Sequence, residues 1–114
     1  MSNISVIGGG YVGLVTAACF AELGNKVSLL EIDTERLSAL ERGELPVTEP
    51  GLPQLWERNS AAGRLSVTND YPQGLSESEF VFIAVGTPST SNGKPDLKWV
   101  RLAAEGIAKS AQRP

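Results

Sequence analysis

Histidine is absent from the 114-residue sequence, and cysteine occurs once, at position 19. Without histidine the chain cannot form a Ser/His or Cys/His nucleophile pair, and a histidine-ligated metal site is excluded. A single cysteine cannot form an internal disulfide, which favours a reducing compartment. We therefore expect a cytoplasmic protein that binds no metal.

Long apolar runs and strongly basic stretches are also missing. No segment approaches the roughly 20 apolar residues that are needed to span a bilayer. The formal net charge is −3, and no stripe of Lys and Arg is present, which argues against a nucleic-acid surface. The length and the hydrophobic content of 41% fit one compact domain with a single core. We expect neither a membrane nor a nucleic acid among the partners.

Short apolar segments alternate with segments of helical spacing. Strands are predicted at 4–7, 27–30, 65–68 and 80–85, and the continuous apolar run of the last predicts a central strand. Helices are predicted at 11–23, after Asp33 as the N-cap, at 52–58 and after Asp96, with a loop at 43–52 and at most a helical turn at 72–76. This alternation predicts an α/β fold, a doubly wound parallel sheet with helices on both faces and the strand order 3-2-1-4.

The strongest motif is the glycine-rich turn between the first strand and the first helix. Gly8, Gly10 and Gly13 have the spacing of a Rossmann-type dinucleotide site. The first glycine permits the tight turn, the second allows a pyrophosphate to approach the backbone, and the third allows the helix to pack on the strand. The free amides of the first helical turn, which contains Tyr11 and Val12, would then face the pyrophosphate. The alternative is a tight turn without a ligand.

Glu31 follows the second strand, roughly 20 residues after the glycines, where an acidic side chain accepts hydrogen bonds from the adenosine ribose. A carboxylate there repels a 2′-phosphate, so NAD is favoured over NADP; the alternative is a solvated glutamate at a strand end. Arg36 leaves three possibilities open: it could accept a 2′-phosphate, lie against the adenine, or be an exposed helix residue. Asp33 is interpreted as a helix cap and not as a ligand.

A further candidate segment, Val85-Gly86-Thr87-Pro88, follows the fourth predicted strand. In an open α/β sheet, ligands bind outside the carboxyl ends of the strands where the strand order reverses, which here lies between the first and fourth strands. Gly86 and Thr87 would then face Gly10 across that crevice. A turn that merely ends the strand is equally compatible with the residues.

The first strand, turn, helix and second strand also resemble the nucleotide site of flavin-dependent disulfide reductases. Three later segments favour another family: 43–52 (GELPVTEPGL), 82–89 (FIAVGTPS) and 92–97 (NGKPDL). Together with the glycine turn they resemble the UDP-glucose/GDP-mannose dehydrogenase family, over nearly the whole chain and in the family's order.

The resemblance implies a role for each matched segment. Residues 8–13 would bind the NAD pyrophosphate, and Glu31 would bind the ribose at a position usually held by Asp, with one methylene more of reach. Arg36 would lie on the adenosine side, and residues 85–89 would line the path towards the nicotinamide. The loop that contains Glu49 matches a family signature whose role the sequence does not provide.

Members of this family oxidise a sugar-nucleotide alcohol to a carboxylate with two NAD, through a cysteine thioester. The resemblance implies that the catalytic residues lie in later segments, so residues 1–114 would be a partial NAD-binding domain that binds NAD without turnover. Cys19 lies within the first helix without a base nearby and is expected to be a packed small residue. The nucleotide sugar would be held by central and C-terminal domains, in a homo-oligomer.

Several alternatives remain open from the residues alone. The substrate could be UDP-glucose, GDP-mannose or a UDP-N-acetylhexosamine, and a flavoprotein nucleotide site or a stand-alone nucleotide-binding module are the competing classes. The fold would end after the fourth strand and its following helix, which would leave residues 80–85 as an exposed apolar edge. We therefore expect self-association or marginal stability of this chain.

Overall fold

A computed structural model describes residues 2–46, 49–85, 93 and 97–110 of the chain, with the backbone alone for Trp99 and Ser110. The strands are β1 (Asn3–Ile7), β2 (Lys26–Leu30), β3 (Leu65–Thr68) and β4 (Phe80–Ile83). The helices are α1 (Tyr11–Glu22), α2 (Thr34–Glu41), α3 (Leu52–Ala61), α4 (Tyr71–Leu75) and α5 (Lys98–Ser110). The predicted order of elements is confirmed.

The four strands form one parallel sheet in the order β3-β2-β1-β4. Val6 of β1 lies opposite Leu29 of β2 on one side and opposite Phe82 of β4 on the other. In the chain, β1 and β4 are separated by two strands and four helices. Because they are nevertheless neighbours in the sheet, the strand order reverses between them. The predicted order and the predicted reversal point are therefore confirmed.

Two apolar cores lie on opposite faces of the sheet. Side chains alternate along a strand, so Val6 and Leu29 pack into the core beneath α1 and α3, whereas Ile7 and Leu30 pack into the core beneath α4 and α5. Ala17 of α1 is fully buried, which brings that helix close to the sheet. Helices on both faces confirm the doubly wound architecture.

The fourth strand differs from its prediction in length and in position. It ends at Ile83 instead of Val85, and it lies at the edge of the sheet, so the prediction of a central strand is wrong for the described residues. Its burial reflects this position, because Phe80 is 54% exposed and Phe82 is 41% exposed. The expected exposed apolar edge is therefore present.

Two local predictions on the helices have opposite outcomes. Asp33 caps α2 as predicted, since its Oδ1 accepts hydrogen bonds from the backbone amides of Glu35 and Arg36 at 3.0 and 3.1 Å. Cys19 is exposed, so its prediction as a packed small residue is wrong. The buried residues of α1 include Ala17, Ala18 and Ala21, and position 19 falls outside that stripe.

Within the described ranges, no helix combines the length and the apolar character needed to cross a membrane.

Candidate dinucleotide site

The glycine turn joins β1 to α1 and is packed on both sides. Gly8 has a φ of +113°, and its amide donates to the Leu30 carbonyl at 2.8 Å. A Cβ on Gly8 would lie 2.6 Å from the Ala84 carbonyl oxygen, and a Cβ on Gly13 would lie 1.8 Å from the Gly8 carbonyl oxygen. The backbone of the turn therefore requires glycine at both positions, as the sequence predicted.

Gly10 differs from these two glycines because nothing in the described structure crowds it. A Cβ added there would meet no heavy atom within 4 Å. Gly10 is also the N-cap of α1, and no described side chain caps the helix. Free amides at the start of α1 therefore face an open space beside a residue without a side chain, as pyrophosphate binding requires. Tyr11 and Val12 are 50% and 63% exposed at this same end.

Glu31 lies directly after β2 and is buried, with 4% exposure. Its Oε1 accepts a hydrogen bond from the Gly9 amide at 2.8 Å, and its Oε2 accepts one from the Asp33 amide at 2.9 Å. The alternative of a solvated glutamate is therefore wrong. The two hydrogen bonds instead hold the side chain against the glycine turn.

Gly9 was not predicted as a site residue, although it contacts Glu31 directly. A Cβ on Gly9 would lie 2.5 Å from Glu31 Oε1. A side chain at the middle position of the triplet would therefore require the Glu31 carboxylate to move. The unbroken run of three glycines was the signal that could have revealed this requirement.

Arg36 lies on α2 and forms an ion pair with Glu31. The distance from Arg36 Nη1 to Glu31 Oε1 is 3.3 Å, and the arginine side chain is 42% exposed. Arg36 is thus an exposed helix residue, as one of the three possibilities has it, and it also contacts the carboxylate at the cleft. The guanidinium partly neutralises the carboxylate at the mouth of the site.

One cleft of about 590 Å³ lies at the carboxyl ends of β1, β2 and β4, and it is lined by Gly8, Gly10, Glu31 and Arg36. Its lining does not include the predicted site residues Tyr11, Val12 and Gly13. The cleft is also lined by Val85, which is half-buried. The sequence predicted that the segment after β4, which begins with Val85, faces this cleft. The other three predicted residues of that segment, Gly86, Thr87 and Pro88, lie outside the described residues. The lining residues that sequence reasoning missed include Ile32, Tyr71 and Leu102.

A hydrogen bond connects the start of α1 to the loop before α3. The Tyr11 hydroxyl donates to Glu49 Oε2 at 2.8 Å. This bond and the negative charge of Glu49 raise the pKa of the Tyr11 phenol above its ordinary value. The loop that contains Glu49, whose role the sequence did not provide, is thus tied to the helix end that faces the cleft.

The model of the "UDP-glucose/GDP-mannose dehydrogenase family, NAD binding domain" matches residues 2–114. The chain belongs to this family. The match excludes the flavoprotein alternative, and the cofactor of this domain is NAD.

Several relatives in the family are similar to nearly the whole chain. The UDP-glucose 6-dehydrogenase of Pseudomonas aeruginosa is 52% identical over 92% of this chain and 23% of its own length. The UDP-glucose 6-dehydrogenase TuaD of Bacillus subtilis is 47% identical over 96% of this chain and 24% of its own length. The chain thus spans about a quarter of the length of these curated relatives.

A solved family member also has the same fold. The GDP-mannose dehydrogenase of Pseudomonas aeruginosa, solved as a ternary complex, superposes with a TM-score of 0.91 at 34% identity. The superposition covers 96% of this chain and 25% of that one. The Rossmann-type architecture is therefore shared over almost all of this chain.

Proposed function

We propose that this chain is the NAD-binding part of a nucleotide-sugar dehydrogenase, with the cofactor in the cleft at the carboxyl ends of β1, β2 and β4. The observation that carries the proposal is the convergence of an uncapped helix start and a buried carboxylate, Glu31, on one cavity. NAD supplies the hydride acceptor when it is bound. The residues of the chain bind and orient it.

Each predicted site residue has a separate task in this proposal. Gly8 and Gly13 fix the turn, while Gly10 leaves room for the pyrophosphate beside the amides of Tyr11, Val12 and Gly13. Glu31 binds the adenosine ribose, and Arg36 lies beside it on the adenosine side. Val85, Gly86, Thr87 and Pro88 line the path towards the nicotinamide.

We propose UDP-glucose as the substrate of the whole protein, which would be oxidised to UDP-glucuronate with two NAD. The relatives named UDP-glucose 6-dehydrogenase that are described above are 47% and 52% identical to this chain, whereas the GDP-mannose 6-dehydrogenase of Pseudomonas aeruginosa is 36% identical. This difference supports a UDP-glucose substrate over GDP-mannose. Incubation of the whole protein with each nucleotide sugar and NAD, followed by absorbance at 340 nm, tests the assignment, and faster reduction with GDP-mannose would overturn it.

We further propose that residues 1–114 bind NAD without turnover. The family's chemistry uses a cysteine thioester, and the one cysteine here, Cys19, lies on the exposed side of α1 instead of in the cleft. Conversion of UDP-glucose by the purified chain would contradict this proposal. We also propose that the whole protein is a cytoplasmic homo-oligomer, which its membership of this dehydrogenase family supports; sedimentation of the whole protein tests its assembly.

Calorimetric titration with NAD, NADP and FAD tests the cofactor and the ribose assignment together. We expect NAD to bind best, because the buried Glu31 carboxylate disfavours a 2′-phosphate. Glu31→Ala should weaken NAD binding by about 10- to 100-fold, since hydrogen bonds to a charged group contribute about 1.5–3 kcal/mol. Glu31→Gln keeps the side-chain size and should narrow the preference for NAD over NADP.

Glu57→Ala is the matched control because it removes the same charge from an exposed position on α3, away from the cleft. It should bind NAD like the parent protein. The proposal fails if the parent protein binds FAD in preference to NAD, or if Glu31→Ala and Glu57→Ala bind NAD equally well.

A further inference from the structure

Tyr71 lines the proposed NAD cleft, although no pattern in the sequence singles it out. It is the first residue of α4, directly after the N-cap Asp70, whose Oδ1 accepts from the Gln73 amide at 3.3 Å. Asp70 in turn donates its amide to Thr68 Oγ1 at 3.0 Å, and the Thr68 carbonyl accepts from the Glu31 amide at 2.9 Å. The end of β3 therefore places Tyr71 next to the strand end that carries Glu31.

The ring of Tyr71 is fixed by packing against α5. A Cβ on Gly106 would lie 2.5 Å from Tyr71 Cε1 and 2.7 Å from Cζ, so the helix backbone touches the ring directly. The ring also packs against the buried cluster that contains Leu30 and Ala103. The direction of the hydroxyl group is therefore set by the fold and not by a mobile side chain.

The surroundings keep the Tyr71 phenol protonated. Partial burial raises its pKa, and the negative charge of Glu31 raises it further. The phenol is therefore a hydrogen-bond donor at neutral pH, within electrostatic reach of the Glu31 carboxylate. Within the described part of the chain, no group hydrogen-bonds to this hydroxyl.

The Glu31 carboxylate has little remaining capacity for the two hydroxyls of a ribose. A carboxylate offers about four acceptor positions. The Gly9 amide, the Asp33 amide and the Arg36 guanidinium already use three of them. About one position is left, so Glu31 alone does not accept from both ribose hydroxyls, and the second hydroxyl is available to another protein group.

We propose that the Tyr71 hydroxyl is this other group and donates a hydrogen bond to the adenosine ribose of the bound dinucleotide. The arrangement is complementary, because Glu31 can only accept whereas a ribose hydroxyl both donates and accepts. One ribose hydroxyl donates a hydrogen bond to Glu31, and the other ribose hydroxyl accepts a hydrogen bond from Tyr71. This inference rests on the proposed function, since it assigns a further residue to the same cofactor site.

A thermodynamic cycle tests the contact between Tyr71 and the ribose. It removes the hydroxyl of the protein and the hydroxyl of the ligand separately and together. We would titrate the parent protein and Tyr71→Phe with ADP, 2′-deoxy-ADP and 3′-deoxy-ADP in a calorimeter. Tyr71→Phe should weaken ADP binding by about fivefold, the typical effect of one neutral hydrogen bond. With one of the two deoxy-ADPs the variant and the parent should bind alike, because the partner of the hydroxyl is already missing.

Two controls accompany the cycle. Tyr71→Phe keeps the ring that packs on Gly106, so its melting temperature should equal that of the parent protein. Ser60→Ala removes an exposed hydroxyl from α3 and should not change ADP affinity.

Two results would overturn this inference and leave the proposed function intact. One is equal ADP affinity of Tyr71→Phe and the parent protein. The other is the same loss with ADP and with both deoxy-ADPs. If the parent protein binds neither ADP nor NAD, the proposed function fails as well.

Discussion

Replacing Gly9 with alanine tests the contact between the glycine turn and Glu31. It leaves Gly10, which faces the proposed position of the pyrophosphate, unchanged. An alanine Cβ would lie 2.5 Å from Glu31 Oε1 and 3.3 Å from Arg36 Cδ. Gly9 is not among the glycines with positive φ, so the backbone itself tolerates alanine. The expected effect is therefore displacement of the buried carboxylate and loss of the 2.8 Å bond from the Gly9 amide.

The size of this effect follows from two opposing terms. A hydrogen bond to a charged group contributes about 1.5–3 kcal/mol. Alanine restricts the unfolded chain more than glycine does, which returns about 0.4–1 kcal/mol. We expect Gly9→Ala to lower the free energy of unfolding by about 1–2 kcal/mol, which for a chain of this length lowers the melting temperature by about 4–8 °C.

Gly10→Ala is the matched control for stability. Its Cβ would meet no heavy atom within 4 Å, so the fold should melt like the parent while NAD binding is blocked at the pyrophosphate. Circular dichroism melts and NAD titrations of both variants give the comparison. If Gly9→Ala melts at the parent temperature and binds NAD with the parent affinity, the proposed link between turn and carboxylate is refuted.

Three further outcomes follow from contacts outside the glycine turn. Asn59 is fully buried and donates to Glu22 Oε1 and the Leu55 carbonyl, so Asn59→Ala should lower the free energy of unfolding in urea by about 2–3 kcal/mol, whereas the exposed Asn69→Ala should have little effect. The hydrogen bonds from Arg58 and then Asn59 lower the pKa of Glu22 below 4.5. The stabilisation by these hydrogen bonds is therefore present above pH 4.5 and is lost as the pH falls through the folded-state pKa of Glu22. When the melting temperature is measured at decreasing pH, it should drop less for Glu22→Gln than for the parent. The exposed edge of β4 should cause concentration-dependent association in sedimentation experiments, which Phe80→Lys reduces; a parent chain that stays monomeric at every concentration would contradict this.

The sequence predicted those features that depend on local spacing. Short apolar runs identified the four strands, and the glycine turn with an acid at the end of β2 predicted the cleft in which we propose that the cofactor binds. These patterns lie within single elements or at their ends, where periodicity and turn chemistry constrain the chain directly.

Contacts between distant residues were not predictable in the same way. Glu31 and Tyr71 are 40 positions apart, and Tyr11 and Glu49 are 38 apart; no periodic pattern relates the members of either pair. Cys19 was misplaced because α1 is apolar or small at almost every position, so its sequence does not show which side faces the sheet.

The glycine turn touches both neighbouring strand ends, since Gly8 lies against Ala84 after β4 and Gly9 holds Glu31 after β2. The proposed dinucleotide cleft therefore forms only when β1, β2 and β4 are in register. We expect NAD to bind the folded chain and not the unfolded chain. A ligand that binds only the folded state at a hundred times its Kd stabilises that state by about 2.7 kcal/mol. The rise in melting temperature that NAD causes therefore reports whether the sheet is correctly assembled. Variants that misalign β4 should be the first to lose this rise.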